Sequence, residues 1–144
     1  MMKQCFLSLV LMLALSGCSK NQPNANCGYL VNAGVDFTIN LSLPQFSSLQ
    51  FPSNSVYVSN QGNGGVIVTN NGSGLIAWDA ADPNHIFSQC SIMSIVGGIT
   101  AKCNCEEGNE YSLITGQSIG QSLPCALRSY RVEQTGQNTF LVTD

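Results

Sequence analysis

The stretch from Lys102 to Gly116 constrains the fold of this chain more than any other. It places Cys103 and Cys105 one residue apart, follows them with a glycine, and continues through Tyr111 to a Thr115-Gly116 turn. This spacing predicts a strand that runs into a tight loop and leaves it as a second strand. The loop with its two cysteines is the candidate functional site.

The remainder of the folded region reads as short strands, with no long amphipathic helix and no internal repeat. Its segments alternate apolar and polar residues, as half-buried strands do, and clusters of Asn and Gly separate them as turns. Many short strands with such turns predict an all-β fold, an antiparallel β-sandwich or small barrel, over residues 27–144. The candidate strands are 35–41, 55–58, 64–69, 75–78, 129–132 and 140–142.

The beginning of the chain carries export signals. An apolar run from Phe6 to Leu15 follows the basic Lys3, and it is shorter than the ~20 residues that a membrane span needs. Small residues then precede Cys18 in Leu15-Ser16-Gly17-Cys18, the pattern of a lipobox. We therefore expect residues 1–17 to be a lipoprotein signal peptide and Cys18 to be lipidated. An ordinary signal peptide with a chance cysteine is the alternative.

The composition after the signal peptide limits the possible partners. Residues 18–26 are polar and predict a flexible tether between membrane and domain. Of five basic residues only Lys3 lies before Cys18, so four basic residues face eight acidic ones and the mature side chains sum to −4. This balance excludes nucleic acid as an expected partner and leaves the lipid as the membrane anchor. Ser19-Lys20 lacks an aspartate-type retention signal, which favours the outer membrane of the cell envelope.

The two-cysteine stretch resembles the second cluster-binding loop of Rieske-type iron–sulfur domains. That loop usually reads Cys-Pro-Cys-His-Gly-Ser, followed by an aromatic residue and a Thr-Gly or Asp-Gly turn. Cys103 and Cys105 match the two cysteines, Tyr111 the aromatic residue and Thr115-Gly116 the turn, whereas Glu106 stands at the histidine position. The order of the other segments is similar to Rieske-fold bacterial lipoproteins. The resemblance implies a Rieske-like domain with two cysteine-bearing loops.

The same resemblance implies that the cluster ligands have changed. In the family the first loop reads Cys-x-His, and here Asp82 falls at the cysteine position and Asn84 at the histidine position. The four ligand positions are then Asp82, Asn84, Cys103 and Glu106. A Rieske centre uses two thiolates and two imidazoles, for which hard oxygen ligands and a neutral amide are poor substitutes. An ordinary [2Fe–2S] cluster, and any other cofactor, is therefore not expected.

A further family feature is a disulfide between the two loops. Cys90 occupies its first-loop position and Cys105 its second-loop position, so the resemblance implies a Cys90–Cys105 bridge, as an exported protein would keep. With Cys18 lipidated, five cysteines remain after the signal peptide, and at least one thiol stays unpaired. Cys27 or Cys103 could pair with Cys125, and the sequence leaves this open. The leftover thiol is either buried and inert or reactive.

His85 supports an alternative interpretation of the site. It is the only histidine of the chain and lies one residue beyond the family's histidine position. If the loop turned it inward, His85, Cys90, Cys103 and Cys105 would form a Cys3His set for Zn²⁺ or for an altered [2Fe–2S] cluster, at the expense of the disulfide. The other interpretation is a surface-loop histidine beside a structural disulfide.

These observations favour a non-catalytic envelope domain that serves as a structural or interaction module, with another envelope protein as its partner. The alternative is an electron-transfer or metal-binding protein with an unusual ligand set. Thiol–disulfide exchange is a third and weaker hypothesis, because redox pairs normally have Cys-x-x-Cys spacing. Motifs of other enzyme classes are absent from the sequence, so any activity is expected to be Rieske-type electron transfer.

Overall fold

The computed structural model describes residues 27–144, and the predicted signal peptide, lipidation site and tether lie outside the described residues. Across 27–144 the chain forms ten strands and two short 3-10 helices. No helix in this part of the chain is long and apolar enough to span a membrane. The strands are β1 Asp36–Asn40, β2 Ser55–Val58, β3 Val66–Asn70, β4 Leu75–Asp79, β5 Ser94–Val96, β6 Thr100–Lys102, β7 Glu110–Ser112, β8 Ser118–Ile119, β9 Ser129–Gln134 and β10 Thr139–Thr143.

The strands form two antiparallel sheets. The larger sheet has six strands in the order β1-β10-β9-β4-β3-β2, and the smaller has four in the order β5-β6-β7-β8. One 3-10 helix, Pro44–Gln50, connects β1 to β2, and the other, Gln89–Ser91, precedes β5. Proline fits the first turn of the longer helix because the backbone N–H that it lacks has no partner there. The predicted all-β, antiparallel fold is confirmed.

Strand β3 separates the two hydrophobic cores. Val66 and Val68 belong to a core that includes Ile39, Leu49 and Val142, all fully buried. Ile67, on the opposite face of the same strand, packs into the second core, which contains Tyr111 and Leu113 under the smaller sheet. A strand covered on both faces reads as a continuous apolar run, which explains why Val66-Ile67-Val68 does not alternate with polar residues. This strand therefore fixes the larger sheet against the layer that carries the candidate site.

Both cysteine-bearing loops lie next to the second core. The first loop leaves β4 after Asp79, and an isolated bridge between Ala81 and Ile92 closes its base. The second loop spans 103–109 and connects β6 to β7, the strand–loop–strand unit that the two-cysteine spacing predicts. Gly116, in the turn that follows β7, has a φ of +73°, and a Cβ at this position would lie 2.7 Å from the Trp78 ring. Glycine is required here by both the backbone and the close packing.

Candidate functional site

Asp82, one of the four positions that the resemblance assigns to cluster ligands, is the centre of a buried polar network. Its side chain is fully buried, yet both carboxylate oxygens accept hydrogen bonds. Oδ1 accepts from the Tyr111 hydroxyl at 2.5 Å and from the backbone N–H of Asn84 at 2.9 Å. Oδ2 accepts from Asn109 Nδ2 at 2.8 Å. These donors offset the cost of burying the carboxylate, which would be large without them.

Asn84 uses its whole amide group to fasten the first loop. Nδ2 donates to the Tyr111 hydroxyl at 2.8 Å and to the carbonyl oxygen of Cys125 at 2.7 Å. Oδ1 accepts the backbone N–H of Cys125 at 3.0 Å. The amide therefore ties the first loop to β7 and to the segment before β9 at the same time. Both of its N–H groups and its oxygen are therefore engaged in hydrogen bonds.

The Tyr111 hydroxyl links these two residues. It donates to Asp82 and accepts from Asn84, and the ring is fully buried in the second core. Burial raises the pKa of Tyr111 well above its usual range, and the hydrogen bond to Asp82 raises the pKa further. The phenol therefore stays protonated and acts as a permanent donor to Asp82.

Cys103 lies beside this network as a free, buried thiol. Its Sγ lies 3.8 Å from the carbonyl oxygen of Cys90. Burial raises the pKa of the Cys103 thiol to about 11, and the neighbouring Asp82 carboxylate also favours the protonated form. Of the two interpretations of the leftover thiol, this environment supports the inert one, because a thiol reacts as its thiolate.

We expect Cys103 of the folded protein to resist alkylation. With a pKa of about 11, only about 0.1% of this thiol is ionised at pH 8, and its exposed fraction is 1%. Iodoacetamide at pH 8 should leave Cys103 unmodified in buffer and modify it fully in guanidinium, as read by peptide mass spectrometry. Rapid modification of Cys103 in the folded protein would contradict this assignment.

The fourth ligand position does not join the other three. Asp82, Asn84 and Cys103 converge on the second core, whereas Glu106 is exposed at the tip of the second loop. The residues at these positions do not fit a [2Fe–2S] cluster. They offer one protonated thiol, one carboxylate and one amide whose hydrogen bonds are already made, and no imidazole.

Two disulfides involve the remaining described cysteines. Cys90 bonds to Cys105 and joins the two loops, which is the pairing that the resemblance implies. Cys27 bonds to Cys125, one of the pairings that the sequence leaves open, and Cys103 is the unpaired residue. The second disulfide lies next to the network, because the backbone of Cys125 pairs with the Asn84 amide.

The alternative Cys3His set is brought together only in part. His85, Cys90 and Cys105 lie together, with one ligand atom from each within 4.8 Å of the others. Cys103 is not a member of this group, because its side chain is directed into the core while Cys105 lies toward the loop surface. Side chains two residues apart share a face of a regular strand, and these two do not, because β6 ends at Lys102 and both cysteines lie in the loop that follows.

A second buried carboxylate, Asp79, holds the start of the first loop. Oδ2 accepts from the Tyr130 hydroxyl at 2.6 Å and from the backbone N–H and side-chain amide of Asn63, each at 2.8 Å. Oδ1 accepts the backbone N–H of Ala81 at 2.8 Å. Burial and the Asp79 carboxylate both raise the pKa of Tyr130, so this phenol also remains a donor. Asp79 thus has a structural role.

Asn109 and Gln121 belong to the site although no local sequence pattern marks them. Asn109 is buried and donates to Asp82, and its own oxygen accepts from Gln121 Nε2 at 2.8 Å. The one available signal is Asp82 itself, because a buried aspartate requires several hydrogen-bond donors from other parts of the chain. Which loop residues supply them depends on the three-dimensional arrangement of segments that lie far apart in sequence.

The two antiparallel sheets and the disulfide-linked pair of cysteine loops define a Rieske-like β domain, as the resemblance implies. No family model matches the sequence, and no curated protein matches it significantly. Among solved structures, the chain is similar to a protein assigned as an NADH-dependent nitrite reductase small subunit from Mycobacterium tuberculosis. The TM-score is 0.45 at 17% identity, over 78% of this chain and 97% of that one.

Two further similar structures are described by their names as parts of carbazole 1,9a-dioxygenase. One is a chain of its complex of oxygenase and ferredoxin, with a TM-score of 0.49 at 19% identity, over 76% of this chain and 93% of the other. The other is the ferredoxin from Nocardioides aromaticivorans IC177, with a TM-score of 0.43 at 17% identity, over 66% and 90%. These similarities concern the outline of the fold and carry no information about the site.

Proposed function

We propose that this chain is a Rieske-like domain in which a buried hydrogen-bond network takes the place of the iron–sulfur cluster, and that it serves the cell envelope as a structural or interaction module. The observation that carries the proposal is the environment of Asp82. Three donors from Tyr111, Asn84 and Asn109 satisfy its carboxylate where a cluster-binding domain needs a thiolate.

The chemistry of the neighbouring groups supports the same conclusion. To bind a cluster, the Asn84 amide would have to give up its hydrogen bonds to Tyr111 and Cys125. In exchange the cluster would gain only a neutral amide as a ligand. Cys103 would have to lose a proton that its burial retains. Buried polar groups that lose their partners cost about 1–3 kcal/mol each, so a cluster has to overcome several such terms without strong ligands in return.

The experiment that tests this proposal is anaerobic reconstitution with iron and sulfide. The natural chain should take up less than one tenth of a cluster per chain. The matched variant restores the family's ligand types with Asp82→Cys, Asn84→His and Glu106→His, and leaves Cys103 unchanged. We expect only this variant to acquire stoichiometric iron and sulfide. Comparable uptake by the natural chain would overturn the proposal.

Anchoring to the envelope is the second part of the proposal. It is supported by the sequence before the described residues, where small residues precede Cys18. We expect the natural chain to sediment with the membrane fraction, and the Cys18→Ala variant to move to the soluble exported fraction because it cannot be acylated. Fractionation followed by mass spectrometry of the mature N-terminus measures both. Equal membrane association of the two chains would contradict a lipid anchor at Cys18.

Metal binding remains a second candidate function, and one specific observation favours it. The His85 ring lies beside the Cys90–Cys105 disulfide, with Nδ1 3.8 Å from Cys105 Sγ. This group differs from the family's ligand set in both its residues and its position.

A further inference from the structure

We propose that the Cys90–Cys105 disulfide, once reduced, forms a Zn²⁺ site together with His85. This inference rests on the second candidate function, metal binding beside His85, and deepens it by naming the ligands, the metal and the redox state; its failure leaves the replacement of the cluster by the Asp82 network untouched, because the two groups share no ligand. In the oxidised protein the disulfide connects the two loops. In the reduced protein the same two sulfurs become thiolate ligands, and the metal restores the connection between the loops.

The distances within the group suit a tetrahedral zinc ion. Zinc binds thiolate sulfur at about 2.3 Å and imidazole nitrogen at about 2.0–2.1 Å, which places neighbouring ligand atoms roughly 3.5–3.8 Å apart. His85 Nδ1 lies 3.8 Å from Cys105 Sγ in the disulfide form. The histidine is therefore already at ligand distance from one sulfur. Zinc binding requires two changes: the two sulfurs separate after reduction, and Nδ1 exchanges its contact with the Ile86 carbonyl oxygen for the metal.

Glu107 lies close to the ring nitrogen of His85 that would face away from the metal. A ligating imidazole typically donates its other ring N–H to a carboxylate or a carbonyl, which fixes its orientation. His85 Nε2 lies 3.6 Å from Glu107 Oε2, on the side of the ring opposite the sulfurs. In the disulfide form Nδ1 lies 2.6 Å from the carbonyl oxygen of Ile86 and donates to it. Zinc binding therefore requires the imidazole proton to reside on Nε2, facing Glu107.

The surroundings allow reductant and metal to reach the group. The His85 side chain is 24% exposed, and Cys90 and Cys105 are partly exposed. The Ser88 hydroxyl lies 3.3 Å from Cys90 Sγ and can donate to a thiolate there. Three protein ligands leave a fourth position, which water fills in zinc sites of this kind.

Reduction and metal binding balance as two separate steps. A dithiol reductant transfers two electrons and two protons to the disulfide by thiol–disulfide exchange, becoming a disulfide itself and leaving two cysteine thiols. Zn²⁺ then replaces the two thiol protons, which are released to solvent, and it accepts the lone pair of His85 Nδ1. The oxidation state of the metal does not change. Cys103 takes no part, because its thiol is buried on the side of Asp82.

The test measures Zn²⁺ bound by the full chain in detergent, before and after treatment with a phosphine reductant that competes weakly for zinc. The phosphine takes oxygen from water as it reduces the disulfide. We expect no tightly bound zinc in the oxidised chain and one additional zinc per chain after reduction. Reduction without a gain of zinc, or equal binding in the oxidised chain, would overturn the proposal.

Variants show which residues bind the zinc and distinguish this site from zinc bound by the other cysteines. Reduced His85→Asn, which keeps both cysteines, should bind zinc at least about 100-fold more weakly, and Glu107→Gln about tenfold more weakly. Cys90→Ser with Cys105→Ser should lose the additional zinc although Cys27 and Cys125 remain reducible. Cobalt in place of zinc should give a thiolate charge-transfer band in the natural chain. Natural affinity in His85→Asn, or retention of the zinc in the double serine variant, would refute the site.

Discussion

Replacing both Cys27 and Cys125 with serine should lower the free energy of unfolding by about 5 kcal/mol. The bond closes a loop of 98 residues, and in the chain-entropy model a loop of this size restricts the unfolded chain by about 4.7 kcal/mol. It also holds the first described residues against the domain, where Val31 and Asn32 accept hydrogen bonds from Arg128. Urea denaturation of the two chains gives the difference.

The other disulfide is the matched control for this prediction. Cys90 and Cys105 are separated by only 15 residues, for which the same model gives about 3 kcal/mol. The double serine variant at these positions should therefore be clearly more stable than the variant that lacks Cys27 and Cys125. The reverse order would show that the native contacts around each bridge, and not loop closure, determine the stability.

The Asp82→Ala variant should lose about 4 kcal/mol of stability. It leaves the Tyr111 hydroxyl, the Asn84 backbone N–H and the Asn109 amide without their acceptor in a buried environment. Each such loss costs about 1–3 kcal/mol, and the cavity left by the missing carboxylate adds to the total. Thermal and urea unfolding measure the effect.

Two further variants test whether the loss of stability comes from the hydrogen-bond network and not from any substitution at one of the four ligand positions. Asp82→Asn keeps one acceptor oxygen but turns an amide donor toward other donors, and it should lose about half as much stability as Asp82→Ala. Glu106→Ala changes another of the four ligand positions, but on the exposed loop tip, and should stay within about 0.5 kcal/mol of the natural chain. An Asp82→Ala chain as stable as Glu106→Ala would contradict the structural role of the network.

Much of the fold follows from local sequence patterns. Residues 55–58 match β2 without adjustment, because both apolar alternation and flanking turns are strong there. Strands β5 and β8 are missing from the sequence analysis, since segments of three and two residues carry too little periodicity. Predicted strand 64–69 begins too early, because Gly65 has a φ of +92° and the strand starts only at Val66.

The positions of some site residues can be predicted from the sequence, but their hydrogen bonds cannot. The positions of Asp82, Asn84 and Cys103 followed from the resemblance, and the structure brings these three residues together. The hydrogen bonds to Tyr111, Asn109 and Cys125 join residues 27 to 41 positions apart in the sequence, and no local pattern encodes such pairings. The choice of Cys27 as the partner of Cys125 likewise depends on the path of the chain around the domain.

The most direct test of the central claim is the iron and acid-labile sulfide content of the full chain, produced with ample iron and purified anaerobically. The claim is that the hydrogen bonds of Asp82 replace the cluster. It predicts a colourless, folded protein with less than about one tenth of an iron atom per chain, because the site offers a single protonated thiol and no imidazole. Two iron atoms and two sulfides per chain, with the visible absorption of a [2Fe–2S] centre, would contradict it.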